Sequence, residues 1–312
     1  MLGVFTGLTA SIMTMVEENL TEWKKDTADH LIGGSDNNVG SAYAFFTCFS
    51  MALIAISSTA TVYYGPGANG SGVAEIIGFM NGVNYPNIFT FETFMTKVFG
   101  VVFAVVGGLC VGKEGPLAHI GAIIGVSVLY FPVPGFEWFR NDVNKRELIA
   151  AGVSAGVSAA FGAPIGGTLF AYEVSKPNTF WRFSVIWKVF FSCALSVFSL
   201  AIFNSLRLGN GALDVNSAVL KFGDISVTSP TLEQLPSSFI NGALCGLLGA
   251  AFVSVNTYIN IARKSIITKQ WARPLEAVFF SFLTTTAFFW APYFFEQCKP
   301  SATVVTEPEL LV

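Results

Sequence analysis

The chain of 312 residues is 53% hydrophobic and only 12% charged, with a mean hydropathy of +0.60. Soluble domains carry about 25% charged residues, so roughly half of the expected charge is missing. A net charge of −3, without a basic cluster interleaved with aromatic residues, argues against nucleic acid as a partner.

Uncharged runs long enough to cross a bilayer recur along the chain. Six stretches contain no Asp, Glu, Lys or Arg: residues 37–74, 115–136, 148–172, 189–206, 234–262 and 277–295. A membrane-spanning helix needs about 18–20 such residues. One soluble core would have to hide all six runs, so the sequence predicts an all-α polytopic membrane protein with the lipid bilayer as its partner.

The start of the chain resembles a later segment. A Gly-x-x-x-Gly-Leu sequence opens at Gly3 and again at Gly242, and both are followed by small and β-branched residues. Such glycine pairs suit close helix packing, so a chance likeness between two membrane helices is the alternative to an internal repeat.

Charge after each copy favours a repeat of inverted topology. Residues 17–30 form a predicted loop of mixed sign, whereas residues 263–273 contain Lys and Arg without acid. The positive-inside rule makes only the second loop cytoplasmic, so the two copies would cross in opposite directions. We predict a first repeat at 1–208, the first helices of an incomplete second repeat at 236–295, and a polar tail at 296–312.

Several apolar segments between these copies are short or interrupted. Residues 98–112 give only 15 uncharged positions, about 22 Å of helix against a hydrocarbon core of about 30 Å. Glycine and proline break the chain at 63–72, 112–116 and 161–167. Broken, re-entrant helices of this kind point to a transport site.

The break at 112–116 reads Gly-Lys-Glu-Gly-Pro. Pro116 suits the first position of a helix, and Gly115 lets the backbone approach a bound group. A helix N-terminus attracts anions, and Glu114 is placed immediately before it. The Glu114 carboxylate and a transported anion would therefore compete for the same donors.

Two other interpretations of this break are less favoured. Gly107 to Lys113 fits the start of a phosphate-binding loop, but Glu114 replaces the hydroxyl residue that would hold magnesium. Alternatively, Glu114 caps the helix and pairs with Lys113. An acid within the membrane favours a functional role.

Two further segments carry weaker signals. Gly-Ser-Gly at 70–72 allows a tight turn that opens into a helix, with the Ser71 hydroxyl in front of it, although this triplet is also common in linkers. Residues 159–174 read as a helix, a break and a second helix rich in small residues, which close packing alone would explain.

In their order and spacing, these three segments resemble the CLC family of chloride channels and chloride/proton exchangers. The resemblance implies an all-helical inverted repeat, a homodimer and one anion pathway per subunit. It implies Ser71 as a ligand of chloride and Glu114 as the gating residue. The implied anion-binding and motif-supporting positions are Gly70, Ser71, Gly72, Gly115, Pro116 and Leu117, with Gly112, Lys113, Gly162 and Pro164.

The chain departs from the family pattern at two positions. Ala74 replaces a proline of the Ser71 turn, so this turn should be less rigid. Val174 stands where exchangers have the glutamate that accepts an internal proton, and valine there is the channel pattern. We therefore expect gated chloride conduction; the alternative is a chloride/proton exchanger of intracellular membranes.

The family's Gly-x-Phe-x-Pro loop and late tyrosine do not occur in these residues, so we expect only part of the anion site here. A second alternative is therefore a transport-inactive subunit that associates with full-length relatives. No catalytic residue, metal site or cofactor is expected, since His30 and His119 lie in unrelated contexts. The composition suits a plasma, endosomal or vacuolar membrane equally.

Overall fold

The computed structural model describes residues 1–33, 38–131, 137, 140–175, 183–207 and 234–295. These residues form ten α-helices, one short 3-10 turn at Pro66–Ala68, and no strand. The helices are α1 Leu2–Gly33, α2 Val39–Tyr63, α3 Val73–Met80, α4 Phe91–Val106, α5 Glu114–Leu129, α6 Asp142–Phe161, α7 Pro164–Ser175, α8 Phe183–Arg207, α9 Leu235–Ile266 and α10 Ala272–Phe295. The all-α prediction is confirmed, whereas the predicted tail at 296–312 lies outside the described residues.

Four helices are long and apolar enough to cross a membrane. By length and composition these are α2, α8, α9 and the Ala272–Pro292 part of α10. Helix α4 has only 16 residues, about 24 Å, so the predicted short segment is present, although it begins at Phe91 and ends at Val106. The structure therefore contains both helices long enough to cross a membrane and shorter apolar helices.

The centre of the bundle is the crossing of α5 and α6, where glycines bring two backbones together. A Cβ on Gly121 would overlap the Gly152 carbonyl, and a Cβ on Gly152 would overlap that of Gly121. A Cβ on Gly156 would likewise overlap the Leu117 carbonyl. This tight crossing buries most of α5 and fixes where its N-terminus lies.

Close packing of α1 through its first two glycines is confirmed. Cβ atoms on Gly3 and Gly7 would overlap the carbonyl oxygens of Ser192 and Ser196 on α8. Apolar side chains from α1, α4, α5, α6 and α8 then form the largest core cluster, which includes Met13, Val102, Val106, Leu117, Ile120, Ile124, Ala159, Val197 and Leu200.

The prediction that residues 17–30 form a loop is wrong, because α1 continues to Gly33. Two of its acids pair outside α1: Glu17 with Lys113, just before α5, at 3.3 Å, and Glu18 with Arg207 of α8 at 2.6 Å. A mixed-charge segment therefore remains helical without being a solvent-exposed loop.

The predicted chain breaks are confirmed. Helix α2 ends at Tyr63 and α3 begins at Val73, while α6 ends at Phe161 and α7 begins at Pro164. Between α4 and α5 the break begins earlier than predicted, at Gly107, and extends to Lys113. We call residues 107–113 the connector.

Candidate anion site

Two glycine turns from distant parts of the chain meet at one place. A Cβ added to Gly115 would lie 2.7 Å from the Ser71 Cβ. Such a distance is too short for two side-chain carbons, so only glycine allows this approach. The Ser71 turn and the N-terminus of α5 are therefore brought together, as the resemblance implies.

The Ser71 turn has the backbone that its glycines permit. Gly70 has φ +69° and Gly72 has φ +84°, both in the left-handed region that favours glycine. Helix α3 begins directly after it at Val73, whose N–H donates to the Ser71 hydroxyl at 3.4 Å. The turn keeps this form with Ala74 in place of proline, and Ser71 stays exposed.

Helix α5 begins two residues earlier than predicted. Glu114 is its first residue, and the Leu117 N–H donates to the Lys113 carbonyl at 2.9 Å to close the first turn. Pro116 is thus the third helical residue, not the first. Since the first turn has no intrahelical acceptors for its N–H groups, proline costs no hydrogen bond there either. The Leu117 N–H is already used, and a role for Leu117 in anion binding stays a prediction.

The Glu114 side chain folds back towards the connector. A Cβ on Gly112 would overlap Glu114 Oε2, so glycine at 112 leaves room for the carboxylate. Pairing of Glu114 with Lys113 is wrong in this structure, because the Lys113 ammonium contacts Glu17 Oε2 at 3.3 Å. Among the described residues, none forms a hydrogen bond or ion pair with the Glu114 carboxylate.

A cavity of about 690 Å³ opens beside these turns, with Gly70, Ser71, Gly112 and Pro116 on its wall. The lining also contains the hydroxyls of Ser57, Ser58, Thr61 and Thr96 and the cations Lys97, Arg263, Lys264 and Arg273. No described lining residue is acidic, although Arg263 is paired with Glu276 at 2.6 Å. The described lining has four cationic side chains and no acidic one, which favours anions. The Ser57, Ser58 and Thr61 hydroxyls already donate to backbone carbonyls.

Lys97 and His119 belong to this site and were missed in the sequence. Lys97 is 2% exposed, and its Nζ lies 2.9 Å from His119 Nδ1. His119 Nε2 lies 3.1 Å from the Ile88 carbonyl, which can only accept, so Nε2 carries the proton and Nδ1 accepts from lysine. A Cβ on Gly72 would overlap the His119 ring, so this pair lies directly beneath the Ser71 turn.

The third segment lies apart from the cavity lining. Gly162 ends α6 with φ +64°, and Pro164 begins α7. Val174 is half-buried near the end of α7, beside the exposed Glu173. None of these residues lines the cavity, and the proposed meaning of Val174 stays a prediction.

Comparison with known proteins connects this geometry to a family. The family profile described as "Voltage gated chloride channel" matches residues 51–310. The chain is 34% identical to the bovine (Bos taurus) "H(+)/Cl(-) exchange transporter 7" over 96% of its length, and 32% identical to "Chloride channel protein CLC-a" of Arabidopsis thaliana over 98%. It spans only 38% and 40% of the length of these two relatives.

Solved structures show the same fold. A slow cyanobacterial Cl⁻/H⁺ antiporter matches with a TM-score of 0.72 and 22% identity, over 93% of this chain and 65% of the other. A eukaryotic CLC transporter matches with a TM-score of 0.67 and 22% identity, over 90% of this chain and 48% of the other. The chain is an integral membrane protein and belongs to the voltage-gated chloride channel, or CLC, family.

Proposed function

We propose that this chain takes part in chloride transport across a membrane, with the Glu114 carboxylate as the gate. The observation that carries the proposal is the meeting of the Ser71 turn with the N-terminus of α5, beside a cavity lined by cationic side chains. The helix N-terminus adds a partial positive charge. These are suitable partners for a monovalent anion.

In this proposal the carboxylate and chloride compete for one position. The Glu114 carboxylate has no hydrogen-bond or ion-pair partner among the described residues, so leaving its present position breaks no such bond with them. Protonation removes its charge and with it the attraction to the helix N-terminus. Chloride flux should therefore rise as pH falls.

The test is chloride efflux from liposomes that contain the purified chain, measured with a chloride electrode after potassium permeability is supplied. Glu114→Gln, which resembles the protonated side chain, should give flux that no longer depends on pH. Glu92→Gln is the matched control, since Glu92 is an exposed acid in the first turn of α4. Unchanged pH dependence in Glu114→Gln would remove the gate from the proposal.

We favour passive conduction over exchange because Val174 cannot accept a proton. One of the named relatives is an H⁺/Cl⁻ exchange transporter, so exchange is the alternative. A pH electrode in the same experiment distinguishes them. Chloride movement without proton movement supports conduction, whereas a fixed ratio of protons to chloride supports exchange.

The second candidate is a subunit without transport of its own that associates with a full-length relative. Helix α9 favours it, since none of its residues is buried against the described part of the chain. Absence of flux from the liposomes, together with co-purification with a full-length relative, would support this candidate and contradict the first.

A further inference from the structure

Glu114 directly follows the connector, and α4 ends directly before it. Three of the last four carbonyls of α4 accept backbone hydrogen bonds. The carbonyls of Phe103, Ala104 and Val105 accept from the N–H groups of Gly107, Leu109 and Gly108, at 2.8, 3.1 and 2.9 Å. Gly108 has φ +77°, as the Schellman ending of a helix requires. One terminal carbonyl, that of Val106, is left for a partner from elsewhere.

That partner is a buried lysine of α1. Lys24 is 4% exposed, its Nζ donates to the Val106 carbonyl at 2.9 Å, and it lies 3.9 Å from the centre of the Phe46 ring. No carboxylate lies within ion-pair distance of Lys24 among the described residues. The negative end of the α4 dipole and the aromatic face are therefore what stabilise this ammonium.

The same helix holds the other end of the connector. Glu17 Oε2 contacts the Lys113 ammonium at 3.3 Å, and both side chains are partly buried. Glu17 and Lys24 are seven residues apart, which places them on one face of α1 and about 10.5 Å apart along its axis. One face of α1 thus contacts both sides of the connector: Lys24 bonds to Val106, the last residue of α4, and Glu17 pairs with Lys113, directly before α5.

Helix α10 contributes a third contact, near the start of the connector. The Ser281 hydroxyl donates to the Gly107 carbonyl at 3.4 Å, and a Cβ on Gly108 would lie 3.1 Å from Thr285 Cγ2. This bond is longer than that of Lys24, so α1 is the principal support.

We propose that α1 is a strut that fixes the gate, with Lys24 and Glu17 as positioning residues that act on Glu114 through the two ends of the connector. This inference rests on the proposed function of Glu114. Among the described residues, Lys24 and Glu17 of α1 bond at the two ends of the connector, and Glu114 folds against Gly112. Four cations line the cavity that Val111 and Gly112 also line: Lys97, Arg263, Lys264 and Arg273.

The first test measures the connector directly and needs no transport. Cys110 is an exposed thiol within the connector, and the other cysteines are replaced by alanine. Lys24→Met keeps the length of the side chain and removes the ammonium, whereas Lys25→Met, at an exposed neighbouring position, is the matched control. We expect a nitroxide spin label on Cys110 to have a shorter rotational correlation time in Lys24→Met than in Lys25→Met, because the start of the connector loses a charge-assisted hydrogen bond. Electron paramagnetic resonance measures this mobility.

Lys24→Arg keeps a cationic donor and should restore most of the restricted motion of the label, which a loss of packing alone would not explain. Glu17→Gln, at a partly exposed position, tests the other end without a buried charge and remains informative if Lys24→Met fails to fold. Label mobility equal to that of Lys25→Met in both Lys24→Met and Glu17→Gln would overturn the proposal.

The second measurement is the pH profile of chloride flux in the same variants. A displaced connector should shift the midpoint of that profile in Lys24→Met and leave it unchanged in Lys25→Met. Absence of flux in the unsubstituted chain contradicts the proposed function, whereas unchanged mobility of the label on Cys110 contradicts the strut. The two failures are therefore distinguishable.

Discussion

Helices α1 and α9 have the same length, 32 residues, and contain the same Gly-x-x-x-Gly-Leu sequence, yet their surroundings differ completely. The glycines of α1 lie against the α8 backbone, whereas Gly242 and Gly246 of α9 have nothing within 4 Å of an added Cβ in the described part of the chain. Helix α1 buries residues along its length and α9 buries none there. A glycine pair therefore permits close packing, but a facing helix decides whether packing occurs.

The charges of the two helices differ in the same way. Charged side chains of α1 bond to other parts of the chain: Glu17 to Lys113 of the connector and Lys24 to the last residue of α4. Those of α9, Arg263 and Lys264, lie in its last turn and line the cavity mouth. One helix bonds to the chain at both ends of the connector, and the other contributes positive charge to the cavity that Gly112 lines.

The largest difference in stability is expected when the same substitution, Gly→Leu, is made in α1 and in α9. Gly7→Leu must displace the Ser196 carbonyl and should cost about 1–3 kcal/mol through overpacking. Gly246→Leu adds an apolar side chain in open space and should change the stability by less than about 0.5 kcal/mol. Thermal unfolding in detergent, followed by circular dichroism, measures both. Equal losses would show that α9 has close partners that the described residues do not contain.

A smaller loss of stability should distinguish α10, which bonds to α2, from α9. The Tyr43 hydroxyl of α2 lies 2.9 Å from that of Thr286 on α10. Tyr43→Phe should therefore cost about 0.5–1.5 kcal/mol, the net value of one hydrogen bond. Tyr258→Phe on α9 is the control, since Tyr258 is exposed and should tolerate the change. A loss in Tyr258→Phe as large as in Tyr43→Phe would contradict the contrast between these helices.

The smallest effect on stability is expected at two partly exposed ion pairs. Glu18 pairs with Arg207 and links α1 to α8, while Glu276 pairs with Arg263 and links α10 to α9. Exposed pairs contribute about 0–1 kcal/mol, and salt screens them. Glu18→Gln and Glu276→Gln should each lower the unfolding temperature slightly at low salt and hardly at high salt. A large, salt-independent loss in either variant would mean that its pair is desolvated.

The local features of the site were predictable from the sequence, because glycine and proline act locally. The turn at Ser71, the start of a helix near Glu114 and the break at Gly162 all follow from backbone constraints that these residues impose. That these features lie close together was predicted only from the family resemblance. Spacing along the chain contains no information about the contact between Ser71 and Gly115.

The missed features are those that depend on a partner. Residues 17–30 were predicted as a loop because their charges suggested solvent, whereas α4, the connector and α8 supply the partners of Lys24, Glu17 and Glu18. Lys97 offered a signal, since it is the charge that precedes the uncharged run at 98–112, but its bond to His119 required the fold. The predicted repeat boundaries, 1–208 and 236–295, stay predictions.

The two contacts of α1 with the connector have a mechanical consequence. Seven residues can extend to about 23 Å, whereas the anchoring side chains are about 10 Å apart along α1. The connector is therefore longer than the distance along α1 between its two anchors, and turns at Gly108 and at Leu109–Val111 take up the extra length. Glu114 lies beside one anchor, at the start of a helix that the α5–α6 crossing immobilises. Gating in this arrangement would be the swing of one side chain, and the bundle around it can remain still.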